Sequence, residues 1–203
     1  VAVAPVDDAP VVSGPVVLST QSTSDGGFVV TWQSSNQDGS GYGIFGQRFD
    51  ASGVAAGDEF QVNTYTGGDQ SDSSVTSLAD GGFVVTWHSA NQDGSGYGIF
   101  GQRYDASGAA AGGEFQINTH TDSDQDTSSV TSLADGGFVV SWESNNQDGS
   151  GNGIFGQRYD ASGAAAGGEF QVNTYTDNDQ AYPSVTSLAD GGLVVVWSSN
   201  NQE

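Results

Sequence analysis

The segment GGFVVTW stands at residues 26–32 and again at 81–87, and it returns as GGFVVSW at 136–142 and as GGLVVVW at 191–197. Successive copies start 55 residues apart, and the unit beginning at residue 71 is repeated in the next 55 residues with about ten changes. Repeats of about this length are typical of solenoids, propellers and tandem arrays. Units of such proteins are stabilised by their neighbours. The repeat therefore predicts a scaffold or a binding surface rather than an enzyme with one differentiated pocket.

Each unit is predicted to contain four short strands joined by turns. The FVVTW run is rich in β-branched and aromatic residues, and the Asp-Gly-Gly before it suits a tight hairpin. Gly43 and Gly46 are expected where another backbone approaches closely. The fourth strand of the unit, in which polar and apolar residues alternate, is expected at the edge of the sheet. In one unit and the start of the next, the strands are expected over residues 28–32, 42–49, 59–64 and 74–78.

The fold class predicted from these strands is all-β, with repeated four-stranded antiparallel units arranged as a β-propeller. FVVTW is apolar on both faces, as a strand between two neighbouring sheets requires, whereas a one-sided sheet would alternate with polar residues. A linear β stack and tandem sandwiches are the alternatives. The ring is either four-bladed and closed by the N-terminal segment, or an open arc completed by further sequence or by a second chain. The expected division is a linker or module tail at 1–15, units at about 16–70, 71–125 and 126–180, and a partial unit at 181–203.

The charge of the chain excludes two classes of partner. Asp and Glu number 25 against three Arg and no Lys, so the net charge is −22. Nucleic acid and anionic membranes are therefore poor partners, and the self-repulsion favours a bound cation. Because Cys is absent, disulfides play no part. No apolar run is long enough for a membrane helix, so membrane insertion is not expected.

The loop NQDGSG at residues 36–41, 91–96 and 146–151 is the predicted cation site. Its Asn, Asp and Ser side-chain oxygens alternate, and its glycines let backbone carbonyls join them, as calcium prefers. A plain glycine-rich connection is the alternative, because each loop supplies one carboxylate. With calcium as the cofactor, the predicted metal ligands are Asn36, Asp38, Ser40, Asn91, Asp93, Ser95, Asn146, Asp148 and Ser150. The acidic stretches between units offer a cation bridge or a solvated loop, at Asp69, Asp72, Asp122, Asp124, Asp126, Asp177 and Asp179.

Other distinctive residues have structural interpretations beside functional ones. The three arginines, Arg48, Arg103 and Arg158, are each expected to pair with an Asp, with a ligand carboxylate or a sugar as the alternative. The Trp residues are expected in the core, and Tyr42 and Tyr97 are better placed to stack on a sugar. His88 and His120 replace Gln33 and Tyr65 of the first unit and are expected to be surface variation. No catalytic residue is predicted, since no nucleophile–base pair or phosphate-binding Gly-Lys loop is present.

The segments SVTSLADGGFVVTW, NQDGSGYGIFGQRYDASG and GGEFQVNT resemble tandem repeats of very large bacterial surface and secreted proteins, the RTX-type adhesins exported by type I secretion. The start, VAVAPVDDAP, resembles the closing strand and linker of cadherin-like or VCBS-type modules, with Asp7 where Asn is usual. The resemblance implies an extracellular, calcium-rich setting and a role in adhesion or surface display. Gly43 stands where the RTX nonapeptide has its calcium-binding Asp, so the repeat is not a β-roll.

These observations predict a non-catalytic structural or adhesive repeat segment of a secreted or cell-surface bacterial protein, stabilised by calcium. The alternative is a multivalent, lectin-like carbohydrate-binding propeller with equivalent pockets between blades. A sialidase-like hydrolase is less favoured, because it needs one unequal set of residues. The expected partners are neighbouring repeats or further copies of the chain, and glycans or other cell-surface ligands.

Overall fold

The computed structural model describes residues 19–23 and 26–202, which form fourteen β-strands. The predicted linker or module tail at residues 1–15 lies outside these residues. The strands are β1 (Ser19–Ser22), β2 (Phe28–Ser35), β3 (Tyr42–Phe49), β4 (Phe60–Gln61), β5 (Gln70–Ser77), β6 (Phe83–Ala90), β7 (Tyr97–Tyr104), β8 (Phe115–Gln116), β9 (Gln125–Ser132), β10 (Phe138–Asn145), β11 (Asn152–Tyr159), β12 (Phe170–Gln171), β13 (Gln180–Ser187) and β14 (Leu193–Ser199).

Consecutive strands form antiparallel meanders. The first three sheets have the orders β1-β2-β3-β4, β5-β6-β7-β8 and β9-β10-β11-β12, and β13 and β14 form a two-stranded fourth sheet. The fourth strand of each complete sheet lies at its edge, as its alternation predicts. Within the described residues, no helix has the length and apolarity needed to cross a bilayer.

Strand lengths depart from the prediction at three places. The second strand extends to Ser35, three residues beyond the predicted end at Trp32. The third strand is as predicted, but the fourth pairs only over Phe60–Gln61 because the side chain of Asn63 turns inward. Its Oδ1 accepts the backbone amide of Ile44 at 2.7 Å. The first strand of the second sheet begins at Gln70, earlier than predicted, and its pairing with β6 shifts by a bulge between Ser71 and Ser74.

Successive sheets pack face to face. β5 lies beside β9 and β9 beside β13, while β2, β6 and β10 each contact the first strand of the next sheet. First strands adjacent to one another, with fourth strands outermost, are the arrangement of blades in a β-propeller. The prediction of an all-β, propeller-like repeat fold is confirmed.

The hydrophobic core consists of clusters between sheets. Between the first and second sheets, Val29, Ile44 and Val62 meet residues that include Phe83 and Trp87. The corresponding residues of the second and third sheets form the next cluster. Burial of each large apolar side chain contributes about 1.5–3 kcal/mol. The middle strands β6 and β10 are buried on both faces, as predicted, whereas β14 is exposed over much of its length.

The predicted core role of Trp is confirmed for Trp32, Trp87 and Trp142, whereas Trp197 is half-buried. The glycines of the third strand have a different explanation from the one expected. Trp87 and Trp142 are fully buried. A Cβ on Gly46 would lie 2.7 Å from Cζ of Phe60, and a Cβ on Gly43 would lie 2.6 Å from Oδ2 of Asp38. The close approach at both glycines is therefore made first by side chains rather than by another backbone.

Polar contacts also repeat from sheet to sheet. Nη2 of Arg48 donates to the carbonyl of Ala106 at 3.0 Å, and Nη1 donates to the carbonyl of Ser107. The backbone amide and Oγ1 of Thr64 donate to Oε2 of Glu114 at 2.6 and 2.9 Å. Arg103 and Thr119 make the same contacts one unit further on, with the carbonyls of Ala161 and Ser162 and with Glu169. We call these contacts the inter-sheet latches.

Candidate functional site

The repeated units differ mostly at one end of the sheets, where each second strand finishes and each first strand begins. We call this end the junction rim. In the second strands, the position occupied by Gln33 in the first sheet holds His88 in the second and Glu143 in the third. The residues near the start of the first strands also differ between units. The units are therefore not equivalent at this end of the sheets.

A bulge in the first strands of the second, third and fourth sheets shapes the junction rim. The bulge residues Asp72, Thr127 and Tyr182 have φ of 54°, 51° and 57°. This left-handed conformation is unusual for bulky residues. The backbone amide of Asp72 donates to Oε1 of Gln33 at 3.2 Å, and that of Tyr182 donates to Oε1 of Glu143 at 2.5 Å. Side chains from one sheet thus reach the bulged strand of the next.

His88 is buried at the junction of the second and third sheets, so its interpretation as surface variation is wrong. It is 8% exposed, and none of the described residues hydrogen-bonds to its Nδ1. Nδ1 lies 3.7 Å from Oδ2 of Asp72, and the ring centroid lies 4.7 Å from that of Tyr97. Burial lowers the pKa of His88, and nearby carboxylates, first Asp72 and then Asp126, oppose that shift. Because burial is the larger effect, His88 is a neutral imidazole at neutral pH.

Asp126 and Glu143 form a carboxylate pair at the same junction. They lie directly opposite each other in the pairing of β9 with β10, which places their side chains on one face of the sheet. Glu143 is buried and Asp126 is half-buried. Burial raises the pKa of both carboxyl groups, and the proximity of Asp126 raises that of Glu143 further. Nδ2 of Asn152 donates to Oε2 of Glu143 at 3.1 Å.

An exposed aromatic side chain completes the junction rim. Tyr182 is 72% exposed, while its backbone amide is held by Glu143. The rim therefore combines carboxylates, an unpartnered imidazole nitrogen, an amide and an aromatic ring. Such a set can hydrogen-bond to hydroxyl groups and stack on an apolar ring face. Sequence reasoning noted the replacement of Gln33 by His88 but did not identify this set.

The predicted calcium loops lie next to the rim, and their side-chain oxygens bond within the protein. Oδ1 of Asp38 accepts the backbone amide of Ser40 at 3.1 Å, and Oδ2 accepts Nδ2 of Asn63 at 3.2 Å. The amide of Asn36 donates to the carbonyl of Gly41 at 2.5 Å. In the described part of the chain, no three His, Asp or Glu side chains are grouped to hold a metal ion. Calcium binding stays a prediction.

The same loop geometry recurs in the next two units. Oδ1 of Asp93 and of Asp148 accepts a hydrogen bond from the backbone amide of Ser95 and Ser150, respectively, at 3.3 Å. Their Oδ2 atoms accept hydrogen bonds from the side-chain amides of Asn118 and Asn173, which are equivalent to Asn63. The amides of Asn91 and Asn146 close their loops as that of Asn36 does.

The acidic stretches and the arginines have structural contacts. In three units the backbone amide of the first residue of the third strand donates a hydrogen bond to an aspartate of the next unit, at 3.0–3.2 Å. The acceptors are the Oδ1 atoms of Asp69, Asp124 and Asp179. The predicted Arg–Asp pairing holds for Arg103 with Asp80 at 3.6 Å and for Arg158 with Asp135 at 2.6 Å. The stronger contacts of Arg48 and Arg103 are the carbonyls of the next sheet, which sequence reasoning missed.

No protein-family model and no curated protein matches the chain. Solved structures share its fold. A protein of unknown function from Dyadobacter fermentans has a TM-score of 0.68 at 10% identity, over 92% of this chain and 62% of that one. The Hadza microbial sialidase Hz136 has a TM-score of 0.64 at 11% identity, over 91% and 42%. An endo-arabinase from Bacteroides thetaiotaomicron has a TM-score of 0.54 at 15% identity, over 88% and 68%.

These similarities correct the functional prediction. The chain spans 62% of the Dyadobacter protein and less of the sialidase, and identities this low establish the fold alone. Even so, the named enzymes among the similar structures act on carbohydrates by their descriptions, and none is described as an adhesin repeat. The preferred interpretation, a non-catalytic structural or adhesive segment, is contradicted by this comparison.

Proposed function

We propose that this chain is a carbohydrate-recognising propeller module that acts outside the cell and binds its ligand at the junction rim. The observation that carries the proposal is the carboxylate pair of Asp126 and Glu143 beside the unpartnered Nδ1 of His88. This set lies at the end where the units differ. The propeller-like fold shared with carbohydrate-active enzymes supports the same ligand class.

The charge of the site favours a neutral sugar. Carboxylates accept strong hydrogen bonds from hydroxyl groups. A neutral glycan adds no charge to a chain of net charge −22, whereas a sialylated or phosphorylated ligand would be repelled. The exposed ring of Tyr182 offers an apolar face for stacking. Uncharged pentose or hexose polymers are therefore the proposed ligand class.

The carboxylate pair supports a second candidate function, hydrolysis of the glycosidic bond. Glycoside hydrolysis commonly uses two carboxyl groups, one of which holds a proton as the general acid. Burial raises the pKa of Glu143, as a general acid requires. Glu143 would act as the acid and Asp126 as the base or nucleophile.

The test is binding of the folded protein to arabinan, xylan and sialylated oligosaccharides by calorimetry, with release of reducing ends measured in parallel. We expect Asp126→Asn and Glu143→Gln each to weaken binding about tenfold, because losing one charge-assisted hydrogen bond costs about 1.4 kcal/mol. The exposed Asp58→Asn is the control for loss of one charge and should bind as the unmodified protein does. Binding with no release of reducing ends would remove the hydrolytic candidate. If folded protein bound none of the neutral glycans, the proposed function would be wrong.

A further inference from the structure

The β10–β11 hairpin of the third sheet differs from the β6–β7 hairpin of the second sheet at a small group of polar side chains. Residues 138–159 and 83–104 differ at four positions, one of which is the conservative replacement of Thr86 by Ser141. At the other three, His88, Ala90 and Tyr97 are replaced by Glu143, Asn145 and Asn152. The first unit has Gln, Ser and Tyr at these positions. Among the three complete hairpins, the group of one carboxylate and two amides is therefore confined to the third.

A chain of side-chain hydrogen bonds joins the three residues. Asn145 and Asn152 lie directly opposite each other in the pairing of β10 with β11. Glu143 is two residues from Asn145, so its side chain lies on the same face. Nδ2 of Asn145 donates to Oδ1 of Asn152 at 2.9 Å, and Nδ2 of Asn152 donates to Oε2 of Glu143 at 3.1 Å. The amide of Asn152 is thus held in one orientation, with its donor on the carboxylate.

Both oxygens of the Glu143 carboxylate accept one hydrogen bond each. Oε1 accepts the backbone amide of Tyr182, and Oε2 accepts the side-chain amide of Asn152. Each oxygen can accept two such bonds, so each retains capacity for one from a ligand hydroxyl group. Burial raises the pKa of Glu143, whereas the bonds from Tyr182 and Asn152 favour its ionised form and oppose that rise.

The second hairpin shows what the amide replaces. Tyr97 occupies the position of Asn152, and its ring packs on His88 with the centroids 4.7 Å apart. A ring at that position beside Glu143 would set an apolar face against a buried carboxylate, which is costly without a hydrogen bond. Asn152 supplies the hydrogen bond instead. Because the residue types at the two positions change together, the amide is matched to the carboxylate.

From these contacts we infer that Asn152, held in place by Asn145, is a positioning residue that orients Oε2 of Glu143 toward a hydroxyl group of the bound sugar. The inference rests on the proposed function, because it assigns a role within the same site. Asn152 acts through Glu143: it restricts the rotation of the carboxylate before the ligand arrives, and preorganisation of this kind strengthens binding. The third hairpin is thus the part of the junction rim that is built around a carboxylate.

The first measurement is made without ligand. Protein labelled with ¹³C at its glutamate carboxyl groups is titrated by NMR in the unmodified form and as variants. Asn152→Ala should raise the pKa of Glu143 further, because the bond that favours its ionised form is lost. Asn145→Ala, which installs the residue found in the second unit, should raise that pKa less, since the amide of Asn152 is then able to turn. Gln116→Ala, at an exposed position of β8, should leave the pKa of Glu143 unchanged.

The second measurement is calorimetric binding to arabinan and xylan. Asn152→Ala should weaken binding about tenfold, as Glu143→Gln does. In the Glu143→Gln background the same substitution should change the affinity by less than about twofold, because a residue that acts only through Glu143 then has nothing to position. A residue that merely supports the local fold would weaken binding by a similar factor in both backgrounds. Asn152→Gln, which keeps the donor, should recover part of the loss.

The inference and the proposed function would be overturned by different results. An unchanged pKa of Glu143 in Asn152→Ala, or an equal loss of binding in the two backgrounds, would overturn the inference alone. Unmodified protein that binds neither glycan would overturn the proposed function, and the positioning role with it. Circular dichroism checks the fold of each variant, and Asn145→Ala tests the same hydrogen bond if Asn152→Ala does not fold.

Discussion

Replacing Arg103 and Arg158 separately by alanine measures how much an inter-sheet latch stabilises the array. Arg103 donates to the carbonyls of Ser162 and Ala161 at 2.5 and 3.0 Å, and its side chain is 14% exposed. Arg158 has the same local sequence, but among the described residues its guanidinium bonds only to Asp135, and its side chain is 46% exposed. The two substitutions remove the same atoms, so their difference reports the contacts to the next sheet.

The two substitutions are expected to lower the free energy of unfolding by amounts that differ severalfold. Hydrogen bonds from a charged donor contribute about 1.5–3 kcal/mol each when buried. The freed carbonyls of Ser162 and Ala161 regain water in the Arg103→Ala variant, so we expect a total loss of about 2–3 kcal/mol. An exposed ion pair such as that of Arg158 contributes about 0.2–1 kcal/mol. In a chain of this size about 1 kcal/mol shifts the midpoint by about 2–4 °C.

Thermal melting and urea titration, followed by far-ultraviolet circular dichroism, provide the measurement. Arg103→Ala should lower the midpoint by about 4–12 °C, and Arg158→Ala by less than about 4 °C. Arg103→Lys should recover only part of the loss, because an ammonium group lacks the planar fork that reaches two carbonyls. Equal shifts for Arg103→Ala and Arg158→Ala would show that the latch carbonyls add no stability and would refute the reasoning.

Three further predictions concern packing, pH and calcium. Gly101→Ala should destabilise the fold by about 1–3 kcal/mol through overpacking, whereas Gly113→Ala, with open space at its Cβ, should be neutral or stabilising in the same urea titration. Burial raises the pKa of Glu143 above its value in the unfolded chain. The folding stability therefore falls as the pH rises from the unfolded-state pKa to the folded-state pKa of this group. Glu143→Gln should therefore raise the melting midpoint at pH 7, with a gain that disappears near pH 4; an unchanged gain at both pH values would contradict this. Calcium should raise the midpoint at matched ionic strength, and less so in Asp93→Asn; equal midpoints with calcium and chelator would remove calcium from the account.

The strands were predictable because their signals are local. YGIFGQRF has the composition and length of a strand, and the structure has a strand over the same residues. The apolar character of FVVTW on both faces indicated a strand between two sheets, and β6 and β10 are such strands. The alternation of EFQVNT did not reveal that Asn63 turns inward to bond the amide of Ile44. That bond joins residues of different strands, and no local pattern encodes it.

The candidate site was not predictable for a related reason. In a single sequence, His88 is one change in a near-perfect repeat, and such changes usually mark tolerant surface. Its burial follows from the third sheet, which brings Asp126 toward the imidazole, and from Tyr97 on the adjacent strand of its own sheet. Similarly, Asp126 and Glu143 stand 17 positions apart in the sequence. The register of β9 on β10 places them opposite each other, and the bulge in β9 sets that register.

The position of the differences within the unit follows from packing and also argues for function. Residues between two sheets contact partners on both faces, so a change there must fit two neighbours at once, and the units stay nearly identical. At the junction rim His88 and Glu143 are buried as well, yet the residue type at this position changes from unit to unit. Tolerance alone would fill such positions with small or solvated residues. Instead they hold a buried histidine whose Nδ1 has no hydrogen-bond partner among the described residues, and two opposed carboxylates with raised pKa values. Such an arrangement costs folding stability, as is typical of binding and catalytic sites.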